Sequence, residues 1–149
     1  MTILKEGDKA PIFKSTNENG ETVSLADYKG KKLVLYFYPK DSTPGCTAEA
    51  CDLRDNYHTF QAQGYEILGV SPDTPKSHIK FITKYQLPFS LLSDMDHSVA
   101  DAYGVWGEKM MFGRKYMGVL RTTFVISEKG ILEKVIGKVD TKAHTQQLL

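Results

Sequence analysis

Apolar residues fall along this chain in two rhythms. Residues 33–38, Leu-Val-Leu-Tyr-Phe-Tyr, form an unbroken apolar and aromatic run between Lys31-Lys32 and Pro39. A run this short and this continuous predicts a central strand buried on both faces. Residues 65–71 repeat the pattern as Tyr-Glu-Ile-Leu-Gly-Val-Ser and predict a second buried strand. Between them, Ala50, Leu53, Tyr57 and Phe60 recur at spacings of three and four, which makes one stripe of an amphipathic helix that Gly64 terminates. Cys46 lies on the same stripe, near its first turn.

The rest of the chain follows in lower relief. Residues 12–15 and 22–25 flank an Asn19-Gly20 turn signal and predict a small N-terminal β-hairpin. A helix starts around Thr74-Pro75, residues 89–92 form a short strand, and Asp96 caps a helix over residues 97–103. Residues 122–127 and 131–136, joined by Glu128-Lys129-Gly130, predict an antiparallel hairpin, and a last helix begins near Asp140 or Thr141. Strand, helix, strand, helix, then hairpin and helix, implies an α/β protein with parallel crossover units and a mixed sheet. Trp106 to Met117, with Met110, Met111, Phe112 and Tyr116, is left open between an adaptable apolar rim and an ordinary packed loop.

Composition narrows the class. With 149 residues, 41% of them hydrophobic, the chain suits one domain, residues 1–149, with a substantial core. Nineteen basic and eighteen acidic side chains are scattered, with a formal charge of +1, so no basic stripe points to nucleic acid or a membrane surface. No apolar stretch approaches the ~18 residues of a membrane span, and the N-terminus lacks the apolar core of a signal peptide. The expectation is a cytoplasmic protein. There, a lone cysteine pair points to redox or catalytic chemistry rather than to a structural staple.

That pair is Cys46 and Cys51. Cys46 sits at the predicted strand-to-helix junction, where unpaired backbone N–H groups and the positive end of a helix dipole favour a thiolate. Thr43 and Gly45 belong to the same turn, and Gly45 allows close approach to the backbone. If both cysteines occupy a regular helix, their Cα atoms lie ~8 to 9 Å apart. A disulfide needs Cα atoms within ~7 Å, so bonding the two requires the first turns of the helix to unwind.

The spacing Pro39-x-x-x-Thr43-x-x-Cys46 resembles the active-site motif of the peroxiredoxins. The second cysteine five residues on, together with the runs Tyr103 to Lys109 and Arg121 to Ile126, resembles more narrowly the bacterioferritin comigratory protein or peroxiredoxin Q subfamily. The resemblance extends from about Gly7 to about Gly137. It implies a thioredoxin-like fold and a peroxidase that reduces hydrogen peroxide and alkyl hydroperoxides. It also implies Cys46 as the attacking thiol, Cys51 as the resolving thiol, and Arg121 reaching Cys46 from a late strand. Thr43 then helps stabilise the thiolate and the leaving oxygen, Glu49 orients the guanidinium, and Pro39 shields the sulfur. No cofactor or metal is implied. Thioredoxin or a glutaredoxin-like dithiol is the expected reductant, and the subfamily is often monomeric.

Two other functions compete. A thiol-disulfide oxidoreductase would share the fold, but such enzymes typically use Cys-x-x-Cys, and the spacer here is longer. A zinc module would need two more ligands, and the four histidines, His58, His78, His97 and His144, are dispersed. Arg54 and Asp55, on the predicted helix, read as a salt-bridging pair.

Overall fold

The computed structural model describes residues 2–149. The 33–38 run forms β3 (Lys32–Phe37) and extends into a buried Tyr38. It lies in a seven-stranded mixed sheet, between β4 (Tyr65–Ser71), to which it runs parallel, and β8 (Thr122–Ile126), to which it runs antiparallel. Next to β4 comes β5 (Ser90–Ser93), also parallel. Beyond it lies the N-terminal hairpin of β1 (Lys14–Asn17) and β2 (Thr22–Ser24), turned at Gly20 in the left-handed region. On the other side β9 (Leu132–Ile136) pairs antiparallel with β8, as the hairpin signal implied.

The alternation of β3 explains why its run is unbroken. Leu33, Leu35 and Phe37 face one core with Leu68, Val70, Phe124 and Tyr103. Val34, Tyr36 and Tyr38 face the other with Cys46, Ala50, Leu53, Phe60, Phe81 and Leu148. The second core is roofed by α1 (Pro44–Asp55), α2 (Tyr57–Ala62), α3 (Pro75–Tyr85) and α5 (His144–Leu148). The first core is covered by α4 (Ser98–Ala102) and the N-terminal segment. A mixed sheet with helices on both faces is the expected thioredoxin-like arrangement. Among the described residues, no helix is long and apolar enough to cross a membrane.

Three local expectations change. The helix drawn continuously from Cys46 to Phe60 breaks at Asn56, whose side chain donates to the Asp52 carbonyl at 2.8 Å, while its own N–H shifts to Leu53. A side chain that competes for backbone acceptors ends a helix even where the apolar stripe continues. Asp96 accepts from Ser98 N–H at 3.1 Å, but left-handed His97 holds the cap position, so α4 starts later than expected. The last helix starts at His144 rather than near Asp140 or Thr141, because Asp140 is spent in a turn with Lys142 and Ala143.

The largest change falls on the segment left open as rim or packed loop. It is a hairpin, β6 (Trp106–Met111) and β7 (Arg114–Val119), separate from the main sheet and turned at Phe112-Gly113, both at positive φ. A bulky residue in a primed turn is an uncommon signal, and the strands carry no clean period of two. Phe112 at the tip is 98% exposed, and Met110, Met111 and Met117 are also largely exposed.

Candidate active site

The site lies where β3 runs into α1. Pro39 ends the strand, Ser42 takes a left-handed φ of 64°, and Thr43 adopts an extended conformation at the cap before Pro44 opens the helix. The first helical hydrogen bond is Thr47 N–H to Thr43 carbonyl at 2.9 Å. The N–H groups of Gly45 and Cys46 precede it and have no intrahelical acceptor, so they remain available at the positive end of α1. Cys46 is buried, Cys51 is half-buried, and both thiols are free.

Arg121, just ahead of β8, crosses to this point. One guanidinium nitrogen donates to Cys46 Sγ at 3.3 Å and the other to Glu49 Oε1 at 2.7 Å. Burial alone would lower the Arg121 guanidinium, but Cys46 and then Glu49 outweigh it, and the group is held above its ordinary value. Glu49 is fully buried on α1, and burial, only partly opposed by Arg121, pushes its carboxyl up to about 7. The expected partnership of Arg121, Glu49 and Cys46 is therefore present as a chain of contacts.

Gly45 has a second part beside the one its position suggested. A methyl group there would meet the Arg121 guanidinium at 3.3 Å, so the missing side chain makes room for arginine over the start of α1. The Thr43 hydroxyl donates to the Lys40 carbonyl at 2.8 Å, which leaves Oγ1 able to accept. Pro39, Thr43, Gly45 and Arg121 line an open cleft of about 520 Å³, whose far wall is built by Met111 and Tyr116 of the hairpin. The exposed hairpin is thus a rim of the site.

Two groups of residues escaped the sequence reading. Asp41, buried in the turn before α1, accepts from Tyr38 Oη at 2.6 Å and Ser77 Oγ at 2.8 Å, and pairs with His78 Nδ1 at 2.7 Å. Its N–H donates to Asp73 at 2.8 Å. His78, Asp41 and Asp73 cluster tightly enough to suggest metal ligands, yet hydrogen bonds of normal length already occupy the Asp41 carboxylate. The cluster is a latch that ties the active-site turn to α3. His144 is the second: it is buried on α5, with Nε2 3.5 Å from Glu49 Oε2. Neither histidine has a sequence neighbour that signals its role, since both act across tens of residues. Arg54 and Asp55 do pair, at 2.9 Å on the surface.

A buried thiol met by an arginine in the first turn of a helix, at the end of a central strand in a thioredoxin-like sheet, defines a class: cysteine-based oxidoreductases. The AhpC/TSA family model matches residues 6–135, and the chain belongs to that family, in its Bcp and peroxiredoxin Q branch. It is 51% identical over 149 residues to the peroxiredoxin Bcp of Bacillus subtilis, covering all of this chain and 94% of that one. Among solved structures, peroxiredoxin Q of Xanthomonas campestris superposes with a TM-score of 0.87 at 36% identity, covering 99% of this chain and 93% of that one. A cysteine-to-serine variant of the Xylella fastidiosa enzyme superposes with a TM-score of 0.92 at 30% identity, covering 99% and 94%.

Proposed function

We propose that this protein reduces hydrogen peroxide and alkyl hydroperoxides at Cys46, with Cys51 as the resolving thiol and thioredoxin or a similar dithiol protein as reductant. The observation that carries the reading is the Arg121 guanidinium held between Cys46 Sγ and Glu49 beside a side-chain-free Gly45. The alkyl substrate is supported by a relative, the bacterioferritin comigratory protein of Xanthomonas campestris, described for its alkyl peroxide reduction activity.

The Cys46 thiolate attacks one peroxide oxygen, so an S–O bond forms as the O–O bond breaks. Charge grows on the departing oxygen, where the Arg121 guanidinium and the N–H groups at the start of α1 stabilise it. Thr43 Oγ1, with its own proton committed to Lys40, accepts the hydrogen bond of the bound hydroperoxide. A proton completes the alcohol or water that leaves, and Cys46 becomes a sulfenic acid. The Cys51 thiolate then attacks that sulfur and closes a disulfide as the S–O bond breaks, the hydroxide taking up a proton to leave as water, and an external dithiol restores both thiols by exchange.

Stopped-flow oxidation of the reduced protein by one equivalent of hydrogen peroxide, followed by intact mass and peptide mapping, tests the cycle. The expected result is a second-order reaction far faster than that of a free thiol, with a two-proton mass loss mapped to Cys46 and Cys51. Oxidation at the rate of a free thiol would replace the reading with disulfide exchange on protein partners. A fast reaction that stops at the sulfenic acid would remove Cys51 from it.

A further inference from the structure

We infer that His144, on the C-terminal helix, is a positioning residue of this peroxidase site, acting on Cys46 through Glu49 and Arg121. The inference rests on the peroxidase reading. Its geometry starts from an anomaly: Glu49 Oε2 is fully buried and has no hydrogen-bond partner, although Oε1 of the same carboxylate holds Arg121. The side chain that faces Oε2 is the His144 ring, 3.5 Å away through Nε2 and itself wholly buried.

The state of that ring can be worked out from its neighbours. Gln147 Oε1 accepts the Asp140 N–H at 2.9 Å, and Gln147 Nε2 donates to the Lys138 carbonyl at 2.9 Å, so the orientation of the amide is fixed at both ends. His144 Nδ1 lies 2.7 Å from that oxygen and must carry a proton to meet it. In the neutral ring Nε2 is then a lone pair, and the Thr123 hydroxyl, 2.8 Å away, donates to it. Nε2 and Glu49 Oε2 face each other as two acceptors. A single added proton turns this repulsive contact into a hydrogen bond and gives Oε2 its missing partner.

Burial lowers His144 and raises Glu49, so the two groups approach each other in their hold on that proton. The charged and titratable groups around the pair are Arg121 before β8, Asp52 of α1, Asp140 in the turn before α5, and Cys46 with Tyr36 beneath. Among the described residues, Arg121 alone hydrogen-bonds to both Glu49 and the sulfur. Proton binding at His144 is thereby transmitted to Cys46 by three hydrogen bonds in series, His144 to Glu49, Glu49 to Arg121 and Arg121 to the sulfur.

The test compares the parent with His144→Phe, which keeps a buried ring without nitrogens, and His144→Gln, whose amide restores a donor for Oε2. Cys46 reactivity is read from pH 5.5 to 9, both as oxidation by hydrogen peroxide and as alkylation by iodoacetamide in a Cys51→Ser background. With phenylalanine, Glu49 resists ionisation and grips Arg121 less. The expected loss is about tenfold at pH 7, the scale of one charge-assisted hydrogen bond, shrinking toward pH 9, with most of it recovered by glutamine. A pH profile unchanged from the parent, or a loss that is the same at every pH in both variants, overturns the inference. In the parent, ¹⁵N shifts of the imidazole at pH 8 should show the Nδ1-protonated tautomer, and an Nε2-protonated ring overturns it without any substitution. Alkylation keeps the test separate from the peroxidase reading: a parent inert to peroxide defeats that reading while the iodoacetamide profile still judges His144.

Discussion

Glu49 keeps a carboxylate in the least hospitable part of the second core. Burial pushes its carboxyl up to about 7, against an ordinary value of 4.5, and Arg121 offsets only part of the cost. A group whose folded-state value is raised binds its proton more tightly folded than unfolded. Its stabilising contribution is therefore complete below pH ~4.5 and is lost as the pH rises through about 7. Glutamine at this position has no proton to lose. Between pH 4.5 and 7.5 the stability of the parent should fall relative to Glu49→Gln by on the order of 3 kcal/mol, measured by urea unfolding. A constant difference across that range would show that the carboxyl is not strained by burial. The same substitution should weaken the hold on Arg121 and slow peroxide oxidation, because an ionised carboxyl pairs with the guanidinium more strongly than a neutral amide does.

Helix α1 carries both cysteines, and its regularity sets a mechanical condition. Two residues five apart on an intact helix stand ~8 to 9 Å apart, beyond disulfide reach, so closing the bond must unwind the turns near Cys46. In the proposed cycle, unwinding would also pull Glu49 from Arg121 and His144, so the contacts proposed to activate the sulfur would resist its resolution. Amide exchange across residues 43–53 should accelerate at least about tenfold in the disulfide form, while β3 and β4 keep their protection. Equal exchange in both redox states would mean that no unwinding accompanies the bond. At this scale the sequence was readable wherever burial sets the pattern: β3, β4 and the stripe through Ala50, Leu53 and Phe60 follow from apolar spacing alone. The break at Asn56 was hidden because a single side-chain-to-backbone hydrogen bond decided it. The hairpin from Trp106 to Val119 was hidden because it packs outside the main sheet, where little burial disciplines the pattern.

The whole molecule converges on one turn. Cys46, Thr43 and Pro39 were legible because they are close in sequence, and Arg121 became legible only through a family resemblance. Asp41, His78 and His144 were not, since a buried polar residue announces itself by partners that the fold supplies. The Asp41 latch shows what that long-range supply does. His78 Nε2 meets the Leu92 carbonyl at 2.9 Å and must donate to it, while Nδ1 meets Asp41 at 2.7 Å, so one ring joins β5, α3 and the active-site turn. Asp41 N–H on Asp73 adds the loop after β4. His78→Leu removes the ring nitrogens and leaves a buried carboxylate short of a partner, which costs about 3 kcal/mol or more when one side of such a pair is lost. For a chain of this length that is a melting temperature lower by roughly 6 to 12 °C. The consequence for chemistry is directional. A turn released at Asp41 holds Thr43, Gly45 and Cys46 less firmly against Arg121, so oxidation by peroxide should slow, whereas closure of the disulfide, which needs that turn to open, should quicken. Single-turnover measurements separate the two steps. If both slow together, the latch contributes to global stability alone; opposite shifts in the two rates would establish that it sets the balance between the attacking and resolving conformations.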